Sequence, residues 1–267
     1  MKTYIIAEAG INIGNSIEAP KKMIEVVKSI GADCIKWQAY IPKLTAQGNK
    51  ELENVLERNH LNKSDLQVLK EHCSKTGIDF LCSCFEEENL DWLADIGETR
   101  VKIPSCRNTD IKFLNKAAQL FKEIVLATGM MCGRDLTLPL LILKQGTELK
   151  NIALLHCVSA YPCSFEEINL LAMNMLKSLA GKVGLSDHTV GWEVPVAAVA
   201  MGAQIIEKHF TLKRADKPDD CVSLEPDEFA DMVRRIRNVE LAMGDGVKKI
   251  EKSERKLLWR KERGTSI

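Results

Sequence analysis

The sequence carries no net charge. Its 37 lysines and arginines balance 37 aspartates and glutamates, so there is no electrostatic footprint for nucleic acid or for an anionic membrane surface. No apolar run approaches the ~20 residues that span a bilayer. The N-terminus, MKTYIIAEAGINIG, has one lysine and a short apolar run broken by Glu8, which makes a poor secretory signal. Nor does a second Cys-x-Cys or Cys-x-x-Cys accompany Cys82-x-Cys84, so these two are read as small buried apolar residues rather than as a metal site. The nine cysteines are odd in number, and Cys34, Cys82, Cys84 and Cys157 fall in strand-like segments. That pattern points to a reduced, cytoplasmic protein and away from a disulfide framework. Linkers and low-complexity tracts are also missing, and residues 1–267 read as one domain.

What is present is an alternation of short β-rich runs with longer helical patterns. The strand-like runs are 3–10, 34–40, 79–85, 100–105, 123–129, 151–158, 182–188 and 204–211. Helical patterns follow them: 16–31 with Ser16 as candidate N-cap, 63–77 after an irregular stretch, EENLDWLADIG, TDIKFLNKAAQLF, 133–145, SFEEINLLAMNMLKSLA, EVPVAAVAMGA and EPDEFADMVRRIRNVELAMG. Strands that alternate with helices pair in parallel through crossovers, and eight such units predict closure into a single-domain α/β (β/α)8 barrel. An open doubly wound sheet is the alternative, weakened because no Gly-x-Gly-x-x-Gly follows the first strand.

In such a barrel the chemistry sits where the C-terminal ends of the strands converge. Those ends carry Glu8, Lys36, Gln38, Ser83, Lys102, Ser105, Thr128, Ser159, Tyr161, Ser186, His188, Glu207 and His209. Any one strand-end serine or threonine is ordinarily a helix cap or turn former, but polar ends on nearly every strand are a pattern. Side chains two apart share a strand face, which pairs Lys36 with Gln38, Ser186 with His188 and Glu207 with His209. Two imidazoles meeting from adjacent strands suit a borderline divalent ion such as Mn²⁺ or Zn²⁺, with Glu8 or water filling further positions. A lone histidine is more often a hydrogen-bonded structural residue; the matched pair argues for a metal. A lysine inside an apolar run must lie against an anion. Lys36 and Lys102, with the serines, would cradle a phosphate and a carboxylate on one small molecule, and a metal beside such a substrate suggests Lewis-acid carbon–carbon bond formation.

The strings IIAEAGIN, GADCIKWQAY, VKIPS, ATGM, LLHCVSAYP, GLSDHTVGWEVPVAAVAMGA, IIEKHFTL and SLEPDEF resemble the sialic acid synthase family over residues 3 to about 260. The resemblance implies condensation of phosphoenolpyruvate with an N-acylated amino sugar aldehyde, and a divalent metal, typically Mn²⁺, held by His188 and His209. It implies phosphoenolpyruvate contacts from Lys36, Ser83, Lys102, Ser105, Ser159 and Ser186. On the sugar side it implies Gln38, Tyr161 and Asp219, with Asp220 as rival, and it makes Glu8 the acidic residue beside the metal. The metal would polarise the aldehyde, C3 of the enol would attack it, water would add at C2, and phosphate would leave with C–O cleavage.

Departures from the family accompany these matches. Ile13 stands where a histidine is usual, and Arg107 stands where a sugar-contacting glutamate is usual. The loop after the second strand is shorter. The sequence ends at RKERGTSI, where the family continues into a small antifreeze-like domain that caps the partner subunit's sugar site in a homodimer. Arg107 in the mouth would imply an acceptor with its own acidic group; turned outward, it would pair with a surface carboxylate. Two other functions compete with the synthase: a degenerate barrel that binds a metabolite or partner without turnover, and a metal-dependent aldolase acting on pyruvate.

Overall fold

The structure, a computed structural model, describes residues 2–14, 16–215 and 218–262. Eight parallel strands follow one another around a closed barrel in sequence order, and β1 closes on β8. They are β1 Tyr4–Glu8, β2 Cys34–Ala39, β3 Asp79–Cys84, β4 Arg100–Ile103, β5 Glu123–Ala127, β6 Ile152–Cys157, β7 Lys182–Asp187 and β8 Ile205–His209. Each ends one or two residues before its β-rich run does, because the last residues turn outward to begin the loops that form the mouth.

Period-two alternation divides every strand between two cores. Side chains facing the helices, among them Ile5, Ile35, Trp37, Phe80, Val101, Ile124, Leu154, Leu185 and Ile206, join one large buried cluster with the helix faces. Each fully buried Leu, Ile or Phe there contributes about 1.5–3 kcal/mol. The inward set closes the barrel axis with Ile6, Cys34, Leu81, Val125, Ala153, Leu155 and Ile205. Gly184 belongs to this layer: a Cβ there would stand 2.2 Å from the Ile205 carbonyl oxygen and 2.8 Å from Leu155 Cδ2. Above this plug the inward residues turn polar, and the mouth begins.

The helical layer is α1 Glu18–Ser29, α2 Pro42–Thr45, α3 Lys50–Arg58, α4 Lys63–Thr76, α5 Glu87–Asp95, α6 Ile111–Leu120, α7 Thr137–Leu143, α8 Met173–Leu176, α9 Glu193–Ala200 and α10 Pro226–Ala242. Ser16 sits just ahead of α1 and accepts from the Glu18 N–H at 3.3 Å. The irregular stretch after β2 contains α2 and α3: Pro42 opens the first, and the Asn49 side chain caps the second by accepting from Leu52 N–H at 3.1 Å. The long helix expected over SFEEINLLAMNMLKSLA does not form. His156 Nε2 donates to the Ile168 carbonyl at 2.5 Å, and Asn169 adopts a left-handed φ of 43°, which asparagine tolerates better than most residues. Only a 3₁₀ turn, Leu170–Ala172, and α8 follow. The 133–145 pattern likewise divides into a 3₁₀ turn, Gly133–Leu136, and α7.

Candidate active site

Strand register sets the depth of the polar side chains. Glu8 lies opposite Lys36 on one side and His209 on the other. Ser83 is opposite both Gln38 and Lys102, and Ser186 is opposite both Cys157 and Glu207. A cavity of about 170 Å³ opens among them at the C-terminal mouth. It is lined by Glu8, Lys36, Gln38, Ser83, Lys102, Ser105, Ser159, Tyr161, His188 and His209, together with Glu207, Phe85, Pro104, Cys106, Met130 and Cys157. A larger cavity, about 270 Å³, lies at the opposite end of the barrel beside Tyr4 and Arg100. It lacks the paired imidazoles, and the N-terminal face of a barrel serves stability.

The lysines are anchored by carboxylates. Lys36, 1% exposed, pairs with Glu8 Oε2 at 2.7 Å and donates to Ser83 Oγ at 2.8 Å, and its ammonium is 3.6 Å from Glu207 Oε1. Lys102 Nζ approaches the same Glu207 oxygen at 3.5 Å. Burial alone would lower the Lys36 pKa, but Glu207 and Glu8 outweigh it and hold the ammonium charged. Burial also works against ionisation of Glu207; Lys102, Lys36 and the Ser186 hydroxyl, which donates to it at 2.9 Å, overcome this and hold its carboxyl at about 2. Glu8 goes the other way. Its burial, aided by the Glu207 charge, raises its pKa against the pull of Lys36. Gln38 Nε2 donates to its second oxygen at 2.7 Å. The protein therefore supplies the counter-charges that buried lysines require.

His188 and His209 bring their ring centres to 5.4 Å, and Tyr161 covers them, 4.1 Å from the first ring and 6.0 Å from the second. His188 Nδ1 donates to the Val158 carbonyl at 2.9 Å, which leaves the Nε2 lone pair available. Burial, then the charge of His209, pushes the His188 pKa down to about 4; burial also lowers that of His209, against the pull of Asp219. Both shifts favour the neutral ring, the form that ligates metal. His209 Nδ1 is buried without a hydrogen-bond partner, 3.6 Å from Asp219 Oδ2. Two imidazoles beside carboxylate side chains fit a borderline divalent ion. Among the described residues no group of three or more His, Cys, Asp and Glu side chains could hold an ion by itself, so further positions would fall to water or substrate. Gly10, with φ +58°, permits this packing, since a Cβ there would stand 2.2 Å from Asp219 Oδ2 and 3.1 Å from His209 Nδ1.

Four residues differ from the sequence-based expectation. Ser186 lies under the cavity floor, its hydroxyl given to Glu207. Asp219 stands behind His209 and accepts from the Ile11 N–H at 3.0 Å; its rival Asp220 instead braces the loop, accepting from Asn12 Nδ2 at 3.1 Å and Ala215 N–H at 2.7 Å. Thr128 donates its hydroxyl to the Leu155 carbonyl at 3.0 Å. Arg107 is the correction of consequence. It does not line the cavity: its guanidinium donates to the Phe85 carbonyl and to Asp110 at 3.2 Å, and lies 4.0 Å from Glu86. Arg107 turns away from the mouth toward Asp110 and Glu86 and gives no ground for an acidic acceptor. Glu207 is the residue whose importance the sequence reading passed over, although its spacing two before His209 was the signal. Cys157, Cys106, Met130 and Phe85 carried none.

Barrels of this kind work at the C-terminal mouth, and one lined by two lysines and a set of serine hydroxyls suits a small polyanionic substrate, the hallmark of an enzyme of the (β/α)8 class. The chain belongs to the NeuB family, which it matches over residues 23–248. It is 41% identical to the N,N'-diacetyllegionaminic acid synthase of Campylobacter jejuni subsp. jejuni serotype O:2, over 96% of this chain and 81% of that protein. It is 34% identical to the enzyme of the same name from Legionella pneumophila, over 95% of this chain and 77% of the relative. Among solved structures it superposes with a TM-score of 0.91 on the N-acetylneuraminic acid (sialic acid) synthetase of Leptospira borgpetersenii serovar Hardjo-bovis in complex with citrate. That match is 33% identical and covers 100% of this chain and 93% of the other.

Proposed function

We propose that this chain condenses phosphoenolpyruvate with the aldehyde of an N-acylamino sugar to give a nonulosonate and inorganic phosphate. One observation carries the reading: two lysines, three serines and two imidazoles line a single mouth. Lys36 and Lys102 take the two anionic groups of phosphoenolpyruvate, with the Ser83, Ser105 and Ser159 hydroxyls donating to their oxygens. Ser186 acts through Glu207, whose fixed negative charge holds both ammonium groups in place. A Mn²⁺ ion held by His188 and His209 would supply Lewis-acid polarisation of the aldehyde oxygen. C3 of phosphoenolpyruvate bonds to the aldehyde carbon, water adds at C2, and the C2–O bond breaks to release phosphate. Glu8, with its raised pKa and its place beside Lys36 and Gln38, is suited to take the proton of that water. Gln38 and Tyr161 border the acceptor side, with Asp219 behind His209. With Arg107 turned away, Lys36 and Lys102 are the only lysines or arginines lining the cavity among the described residues, which supports a neutral acceptor.

The nine free cysteines support a reducing, cytoplasmic setting, and among the described residues no helix is long and apolar enough to cross a membrane. The exposed Leu241, Met243, Val247, Ile250 and Trp259 near the C-terminal end support association of two copies.

Phosphate release, assayed with phosphoenolpyruvate or pyruvate against a panel of mono- and di-N-acetylated aldoses, tests the reading. Phosphate is expected only with phosphoenolpyruvate together with a neutral N-acylamino sugar. A product formed from pyruvate would mean an aldolase, and no product with any sugar would mean a binding protein.

A further inference from the structure

The outer face of the barrel wall is apolar from strand to strand, apart from His156 and one ion pair. Asp187 and Lys208 are both 0% exposed, and their charged ends are 2.6 Å apart. They are also the last paired rung between β7 and β8. Lys208 donates in addition to the Thr189 carbonyl, and the Thr189 hydroxyl lies 3.0 Å from each Asp187 oxygen. A buried pair of this kind is a poor source of stability, because desolvating two ions costs about what their attraction returns, and apolar residues of equal size often do as well or better. Something other than stability accounts for it.

Its position supplies the account. Alternation places Asp187 between inward-facing Ser186 and His188, and Lys208 between inward-facing Glu207 and His209. The rung below is tied inside the barrel by the Ser186–Glu207 hydrogen bond. His188 lies one residue past the end of β7, beyond the ladder. Its backbone is held by a hydrogen bond from Cys163 N–H to its carbonyl at 2.9 Å and by the Asp187–Thr189 contacts on either side.

We infer that Asp187, Lys208 and Thr189 are positioning residues, a clamp outside the barrel wall that fixes the distance and angle between the His188 and His209 rings. Directional hydrogen bonds on both oxygens of Asp187 resist the sliding and splaying of the strand tips that an apolar contact would allow. The inference rests on His188 and His209 as the metal pair, and the clamp acts on that pair alone. The lysines and Ser83 of the phosphoenolpyruvate half stand on β2, β3 and β4, and Ser186 and Glu207, next to the clamp in sequence, keep their own hydrogen bond inside the barrel, so that half should keep its geometry.

The test uses the full chain and Mn²⁺ titration calorimetry on three variants. Asp187→Leu with Lys208→Met replaces the pair by apolar groups of similar size, Thr189→Val loosens Asp187 while keeping both charges, and His188→Ala removes a ligand. The double variant is expected to melt no lower than wild type yet to bind Mn²⁺ roughly ten- to a hundredfold more weakly, as supporting contacts of metal ligands do when removed. It should also show altered Co²⁺ absorption bands and an unchanged KM for phosphoenolpyruvate. Thr189→Val should show the same loss in smaller measure. Wild-type Mn²⁺ affinity in whichever of these variants folds, while His188→Ala binds none, would overturn the clamp. Wild-type affinity in His188→Ala would instead overturn the metal pair beneath it.

Discussion

Lys36→Met is expected to weaken phosphoenolpyruvate binding by roughly 2–5 kcal/mol, the range for truncating one partner of a buried charge contact, and to destabilise the fold as well. Both follow from its surroundings. Lys36 holds Glu8 at 2.7 Å and lies 3.6 Å from Glu207, and all three side chains are at most 4% exposed. Removing the ammonium leaves buried Glu8 without its main counter-charge and Glu207 with Lys102 alone, a defect that costs about 3–5 kcal/mol. The two effects separate in a second variant. Lys36→Met with Glu8→Gln deletes one charge of each sign, so chemical denaturation should return much of the lost stability while calorimetry still shows the weakened binding of phosphoenolpyruvate. Wild-type affinity for phosphoenolpyruvate in both folded variants would remove Lys36 from the substrate site.

His188→Ala and His209→Ala are expected to abolish metal-dependent turnover while the barrel stays folded. Polarisation of a carbonyl by a bound cation contributes several kcal/mol to the transition state, and each 1.36 kcal/mol is tenfold in rate, so kcat should fall by about a thousandfold or more. Neither ring makes the hydrogen bonds that would make it a structural linchpin. His188 Nδ1 meets the Val158 carbonyl at 2.9 Å and, more weakly, Cys157 Sγ at 3.9 Å, and His209 Nδ1 has no partner. Chelation should silence the wild type in the same way, and added Mn²⁺ should restore it. Elemental analysis provides the check: equal metal in wild type and both variants would mean that the histidines do not hold it.

The site was legible in the sequence to the extent that it depends on alternation and strand order. Lys36 with Gln38, and Glu207 with His209, share a face because strands have a period of two, and that face is inward because the intervening Trp37 and Lys208 belong outside. Closure of β1 on β8 then brings Glu8 opposite His209. What the sequence could not give was which side chain satisfies which. A buried lysine demands an anion, and the reading supplied a substrate; the structure supplies Glu8 and Glu207 first. Arg107 lies close behind Lys102 in sequence, but its direction is set by the Phe85 carbonyl at the end of another strand and by Asp110 one turn on. The helix expected after β6 failed for a similar reason. Its residues have ordinary helical patterning, but the hydrogen bond from His156 to Ile168 is tertiary and leaves no mark on local periodicity.

The central claim is that phosphoenolpyruvate is joined to a sugar aldehyde with cleavage of its C2–O bond. The most direct measurement uses phosphoenolpyruvate carrying ¹⁸O at the bridging oxygen, a neutral N-acylamino aldose and Mn²⁺, with mass spectrometry of the released phosphate. The account predicts that the label leaves with phosphate and that the new ketone oxygen comes from water. Label retained in the organic product, with unlabelled phosphate, would mean P–O cleavage and contradict it.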